Sequence, residues 1–370
     1  MKKFIIPTSL ILLSLLANSI VVNAQRLPCG PYRIDTAALN MLSKNRPAHN
    51  RPAALNALVR VYLHIVTNDD GTNAPITTAQ VATEFTSLLA SYAADNICFL
   101  NAGTDVVKNT FLNTLFNADN DPDGTFFSPY QVPGCINVFY TQVIKGNNAA
   151  CNPPCGYGGI ALGGIPGTFF LIAKSNIGDG SSIGHEMGHS LGLLHTFETV
   201  FGLEKIDGSN STTAGDRIGD TPADPFAYNG QPCYTVSANG CTYTGTCTDP
   251  NGAKNFSPPY TNLMAYWQTN ICYPTLAATT GQFSVVESTI KTTRAIIDCS
   301  SPDYVTQFGI TVSSGYYMNS AVNTFTTNGG VLFNGSAKAT IGGGKVFLES
   351  GFHAQPSLSG LVRITAKPCN

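Results

Sequence analysis

The stretch His185-Glu186-Met187-Gly188-His189-Ser190-Leu191-Gly192-Leu193-Leu194-His195 decides how this chain is read. It holds three of the six histidines in a sequence of 370 residues. Residues four apart on a helix share one face, so His185 and His189 are placed to grip a single ion. Glu186 projects beside that ion without being a ligand. A third ligand six residues after His189 must return from outside the helix, and Gly192 supplies the sharp turn because glycine takes positive φ without a Cβ clash. His195 then completes a three-imidazole set with a fourth position open. The spacing H-E-x-x-H-x-x-G-x-x-H fits one catalytic zinc ion with Glu186 as general base. The competing reading is a helix that carries H-E-x-x-H by accident. The two further fixed positions, one of them a rare histidine, count against it.

The flanks set the compartment. Residues 1–24 read as a secretory signal: Lys2 and Lys3 give a positive start, residues 4–17 an apolar run, and Val22-Asn23-Ala24 a small-residue cleavage site. The run is too short, and too broken by Pro7, Thr8, Ser9 and Ser14, to span a bilayer, which takes about 20 apolar residues. No later segment qualifies as a membrane span. Eleven cysteines suit an oxidising destination. The net charge is −2 with 11% charged residues, which argues against nucleic acid as a partner.

Along the chain, residues 25–54 read as a poorly structured pro-segment. Alternation over 58–66 predicts a strand with Val59, Val61, Leu63 and Ile65 facing one way. Asp69-Asp70-Gly71 is a turn, and residues 77–94 read as a helix with Val81, Phe85, Leu88, Leu89 and Tyr92 on its apolar stripe. Residues 136–140 and 168–173 are apolar β-rich runs. The second leads, through capping candidates Ser181 and Ser182, into the histidine helix. Residues 198–280 are turn-rich with four cysteines, 284–297 read as a helix, and 300–370 as short strands with glycine turns. His49, His64 and His353 read as surface or strand histidines without a role.

The chain resembles the pappalysin (cytophagalysin) family of metzincin zinc proteases over roughly residues 55–298. The histidine motif ending His195-Thr196-Phe197 carries the resemblance, with Asn262-Leu263-Met264-Ala265-Tyr266, which is similar to the family's Met-turn. So do Asp207-Gly208-Ser209-Asn210, the run from Gly215 to Pro225, and Gly281-Gln282. The resemblance implies an α+β fold: a twisted mixed sheet with an active-site helix, an irregular C-terminal subdomain, and here a small all-β module after it. The domains expected are a signal at 1–24, a pro-segment at 25–54, a catalytic domain at 55–298 and a β-rich module at 299–370. The activity implied is secreted zinc metalloendopeptidase acting on proteins or peptides, with Met264 beneath the metal and Tyr266 stabilising the oxyanion. The sequence departs from the family pattern at Ser190, at Ser211 and Gly219 where relatives carry cysteines, and at Thr269-Asn270-Ile271, which lack the acidic residues linked to basic specificity.

Arg26-Leu27-Pro28-Cys29-Gly30 resembles a cysteine switch, in which Cys29 takes the open zinc position and keeps a zymogen latent. The alternative is that Cys29 is half of a disulfide or unpaired. Sequence does not fix the pairing of the others. The expected bridges are Cys241–Cys272, Cys233–Cys247 and Cys151–Cys155, with Cys98–Cys135 and Cys299–Cys369 remaining; zinc binding at Cys151 and Cys155 competes. Asp216, Asp220, Thr221 and Asp224 offer hard oxygen ligands for calcium, against a plain solvated loop. The segment from Gly342 to Ala354 resembles a small β-module at the C-termini of exported bacterial proteins; targeting, surface retention or substrate binding is one reading and a structural cap sealed by a disulfide the other. The alternative function for the whole chain is a non-enzymatic exported adhesin or binding module on a protease-like fold. The intact Glu186 weighs against it. Oligomeric state is not legible.

Overall fold

A computed structural model describes residues 33–44, 57–94, 97–148, 155–238, 240–267, 276–293 and 297–298, and strands between 304 and 366. The expected signal, Cys29, Cys151 and Cys272 lie outside the described residues. In chain order the elements are α1 (Thr36–Lys44), β1 (Ala57–Thr67), α2 (Thr78–Ser91), β2 (Ile97–Lys108), β3 (Ile136–Thr141), β4 (Ile144–Asn148), β5 (Cys155–Tyr157), β6 (Gly159–Leu162), β7 (Phe169–Ala173), α3 (Ser182–Ser190), α4 (Thr280–Thr293) and β8 (Ile297–Asp298). Nine further strands follow, from β9 (Tyr304–Phe308) to β17 (Leu361–Ala366).

The main sheet is six-stranded and mixed, in the order β2-β1-β3-β7-β6, with β8 pairing the start of β1. β1 to β2, β1 to β3 and β3 to β7 are parallel, whereas β6 and β8 run antiparallel to their neighbours. Parallel central strands are covered on both faces, which explains why β1 is apolar almost throughout. Val59, Val61, Leu63 and Ile65 join Val81, Leu88, Ile183 and Met187 in the larger core. Val66 goes to the opposite core with Phe127, Phe139 and Leu171.

His64, expected to be without a role, is buried in β1 and bridges three strands. Its Nδ1 lies 2.7 Å from Asp105 of β2, its Nε2 3.0 Å from the Asn137 side-chain oxygen of β3, and its ring stacks on Phe139 at 4.3 Å. Both ring nitrogens thus meet oxygens inside the sheet, where an unmet polar group would be costly.

Residues 33–44, within the stretch expected to be a poorly structured pro-segment, contain order that weak periodicity hid. Asp35 caps α1, accepting from the Ala38 amide at 3.0 Å. Leu39 packs with Ile165 and Leu194, and Arg217 donates to Asn40 at 2.9 Å. Residues 33–44 therefore lie against the histidine motif itself through Leu194. α2 begins with a capping box between Thr77 and Gln80.

Among the described residues, strands β9 to β17 pair in parallel at intervals of three: β9-β12-β15, β10-β13-β16 and β11-β14-β17. The first of these sheets begins its strands at residues 304, 324 and 345, a coil repeat that residue-by-residue alternation does not reveal. Among the described residues, no helix is long and apolar enough to cross a membrane.

Candidate metal centre and its surroundings

β7 delivers the chain through a short turn to α3, whose nine residues are all buried. The cap is not the expected Ser181 or Ser182 side chain. Asp179 accepts from the amides of both serines, at 2.9 and 2.8 Å, and from the Ser182 hydroxyl at 2.6 Å. A carboxylate at a helix start satisfies free amides and suits the helix dipole. After one more turn the chain leaves the helix at Gly192, which takes φ of 90°, the left-handed conformation its position predicted.

His195 then comes back onto the helix. Its Nε2 lies 3.2 Å from the Nε2 of both His185 and His189. Tetrahedral ligation with metal–nitrogen bonds of about 2.0–2.1 Å places nitrogens about 3.3 Å apart, so this spacing fits one ion. The remaining nitrogens fix the tautomers. His185 Nδ1 is 2.8 Å from the Leu263 carbonyl and His189 Nδ1 is 2.8 Å from the Leu193 carbonyl. A carbonyl only accepts, so each Nδ1 carries the proton and each Nε2 turns a lone pair inward. Burial, then the neighbouring imidazoles, hold His189 and His195 well below the ordinary histidine range, which keeps them neutral. Converging lone pairs at this distance repel unless a cation lies between them. Among the described residues this is the one group of three or more His, Cys, Asp or Glu placed to hold a metal.

The segment 262–266 supports the triad from below. Leu263 provides the carbonyl for His185, and Met264 is fully buried. A Cβ on Gly188 would lie 2.6 Å from the Met264 sulfur, so the absent side chain lets the methionine sit against α3. The Met264 amide donates to Asn262 at 2.8 Å, and Asn262 and Gln282 of α4 exchange two amide hydrogen bonds at 2.8 and 3.0 Å. Tyr266 is half-buried, with its ring 4.7 Å from that of His195 and 5.8 Å from that of His185. Phe197, at the end of the motif, stacks on His195 at 4.6 Å, and Phe226, which the motif does not include, lies 4.7 Å beyond it. Glu186 is 2% exposed within α3, between the two ligand positions.

The four candidate calcium ligands each make hydrogen bonds within the protein. Both oxygens of Asp220 are engaged at the start of α4, by the Thr279 hydroxyl at 2.6 Å and the Gly281 amide at 2.8 Å. Asp224 accepts from the Thr196 hydroxyl at 2.6 Å, and from Trp267 Nε1 and the Phe226 amide at 2.9 Å each. It thereby ties the residue after His195 to the residue after Tyr266. Asp216 accepts from the Thr221 hydroxyl and the Ile218 amide at 2.9 Å each. Glu204, which the sequence reading passed over, is buried near Asp216 and Asp224. Burial first, and those two carboxylates second, push its carboxyl up to about 9. Its Oε2 has no hydrogen-bond partner among the described residues.

Cys233 and Cys247 form the expected disulfide in the irregular segment. Cys241 is disulfide-bonded as well; its expected partner Cys272 lies outside the described residues. So do the side chains of Cys98 and Cys155, and with them the pairs expected there.

No family model matches the chain. Curated proteins do. An extracellular metalloprotease of Colletotrichum graminicola is 28% identical over 280 residues, covering 69% of this chain and 88% of the relative. An extracellular metalloprotease of Podospora anserina is 27% identical over 194 residues, covering 47% of this chain. The chain spans only 58% of that relative's length. Among solved structures, metalloproteinase-II from Bacteroides fragilis is matched over 50% of this chain and 56% of its own, at 11% identity and a TM-score of 0.26, a likeness too slight to carry an argument. The chain is thus similar to proteins named extracellular metalloproteases, and it has a buried three-histidine site that suits a metal.

Proposed function

We propose that this protein is a secreted zinc-dependent metalloendopeptidase of the pappalysin type, made as a latent zymogen. The observation that carries the reading is the convergence of the His185 and His189 Nε2 atoms on that of His195, 3.2 Å from each, with two Nδ1 protons committed to backbone carbonyls. That geometry accompanies a carboxylate one residue after the first ligand, and the relatives named above support the same class.

His185, His189 and His195 would hold the ion, which when bound acidifies a water and polarises a peptide carbonyl. Glu186 takes the proton of that water as its oxygen bonds to the carbonyl carbon. It then delivers the proton to the departing amine as the C–N bond breaks. The Tyr266 hydroxyl donates to the carbonyl oxygen as negative charge gathers there. Met264 fills the space under the histidines and moves no proton. The test is hydrolysis of a denatured protein such as casein, expected to stop with 1,10-phenanthroline and return with added zinc. Hydrolysis that ignores the chelator contradicts the reading.

The docking of residues 33–44 on Leu194 supports the pro-segment reading, with Cys29 a few residues upstream as the blocking thiolate. Cys29→Ala material is expected to lose latency; unchanged latency would remove the switch. The proposed catalytic unit is 55–298 and the proposed β-module is 299–370, with surface retention as its role. For calcium, the proposed ligands are Asp216, Asp220, Thr221 and Asp224, with Glu204 near Asp216 and Asp224. Calcium there is expected to raise Tm, and EGTA to lower it.

A further inference from the structure

Glycine is needed in a strand for one of three reasons: left-handed φ, close approach of another backbone, or close approach of a side chain. Gly159 opens β6, the last strand of the main sheet, and pairs with Ile172 of β7 in ordinary antiparallel register. Its φ lies outside the left-handed region, so any residue could adopt that backbone. The three atoms nearest to a Cβ built there all belong to Glu186. The Cβ would lie 2.8 Å from both Cγ and Cδ of that side chain, and closer still to Oε1. Real Cβ atoms essentially never come within 3.0 Å of another heavy atom, so one of the two would have to move. The atoms met are the far end of the Glu186 side chain, which has several rotatable bonds, whereas β6 is pinned to β7 and its next three residues are buried.

We infer that Gly159 is a positioning residue for Glu186: the missing side chain on β6 is the space in which the carboxylate is held. The inference rests on the peptidase reading above. It goes beyond the motif, because residue 159 lies well before the histidines and is brought to them only by the pairing of β6 with β7. A methyl group at 159 would push the carboxylate aside while leaving the triad, the sheet and the carbonyls that orient the histidines untouched.

The test is Gly159→Ala, measured beside wild type for kcat, KM, bound zinc and Tm. Displacement of a reacting group by about 1 Å costs on the order of 100-fold in rate. The expected result is a kcat lower on the order of 100-fold, with KM within about threefold, zinc retained and Tm within a few degrees. A double-mutant cycle adds a readout that a merely structural role would not move. Glu186→Asp shortens the side chain by one methylene and should cost far less in the Gly159→Ala background than in wild type, since the crowding it relieves is present only there. Unchanged kcat in Gly159→Ala, or costs that simply multiply in the cycle, would overturn the inference while leaving the peptidase reading intact. So would an unfolded or zinc-free Gly159→Ala protein, because the space would then serve the fold and not the carboxylate. A wild-type chain that hydrolyses no peptide bond would overturn the peptidase reading, and the inference with it.

Discussion

Residues 57–190 and residues 191–267 each contribute half of the candidate centre, and they are built by different means. The first region is strand and helix, held by apolar burial on both faces of a sheet. It presents His185, Glu186 and His189 on one rigid helix. The second has, among its described residues, a single short 3-10 helix, Pro225–Tyr228, between loops. It places His195, Met264 and Tyr266 through carboxylate and amide side chains that accept backbone hydrogen bonds. Asp249 takes three such amides, from Ile206, Asn251 and Ala253, and Asp224 joins both ends of the site. A single triad can therefore be half core and half hydrogen-bonded loop, and each half should fail in its own way.

The largest expected effect tests the first region. Leu63→Ala empties a fully buried position in β1 and should lower stability by about 2–5 kcal/mol, read by denaturant unfolding. Zinc affinity of the folded fraction should hardly change. Asp224→Ala is the counterpart in the second region. Three donors lose their acceptor, at an expected cost of about 3 kcal/mol. Here zinc affinity should fall with stability, roughly 10- to 100-fold by competition with a chromophoric chelator, because Thr196 no longer fixes the end of the His195 loop. Equal effects of both variants on zinc would break the comparison.

Replacing Cys233 and Cys247 by serine should cost about 3 kcal/mol, from the chain entropy of a loop with sequence separation 14. Hydrogen exchange should rise in the loops and not in the sheet. The smallest effect is a pH dependence in the first region. Glu84 of α2 accepts from the Gly178 amide at 2.7 Å, and burial pushes its carboxyl up to about 7, with Asp179 adding and the amide opposing. A raised carboxyl favours the fold while protonated, so its contribution is full below the ordinary carboxyl range and lost as pH rises through about 7. Glu84→Gln should therefore gain about 2 kcal/mol on wild type at pH 8 and almost nothing at pH 4.

The same division governs what could be read beforehand. The triad and Gly192 were legible because their geometry is local, set by helical spacing and one turn. β1, α2 and the approach to α3 were legible from periodicity and turn residues, although alternation suggested one buried face for β1 where there are two. α1 was missed despite Asp35, whose cap is a recognisable signal. β2 was missed because Asn101, Gly103, Thr104 and Asp105 interrupt its apolar run, beside a register shift at Val61 and Tyr62. Gly159, Gly188 and Glu204 carried no local signal at all. Their partners are set by the fold, just as the carbonyl that orients His185 comes from Leu263, 78 residues away. Asp220 and Asp224 read as ligand candidates by type, and nothing local showed that they also cap α4 and tie the site together.

The most direct measurement of the central claim is a paired assay on Glu186→Gln: zinc by elemental analysis and peptide hydrolysis by turnover. Glu186 is not a ligand in this account, and glutamine keeps its size. The variant should therefore hold about one zinc per chain and lose at least about 1,000-fold in kcat. Turnover near that of wild type, with zinc in place, would contradict the account.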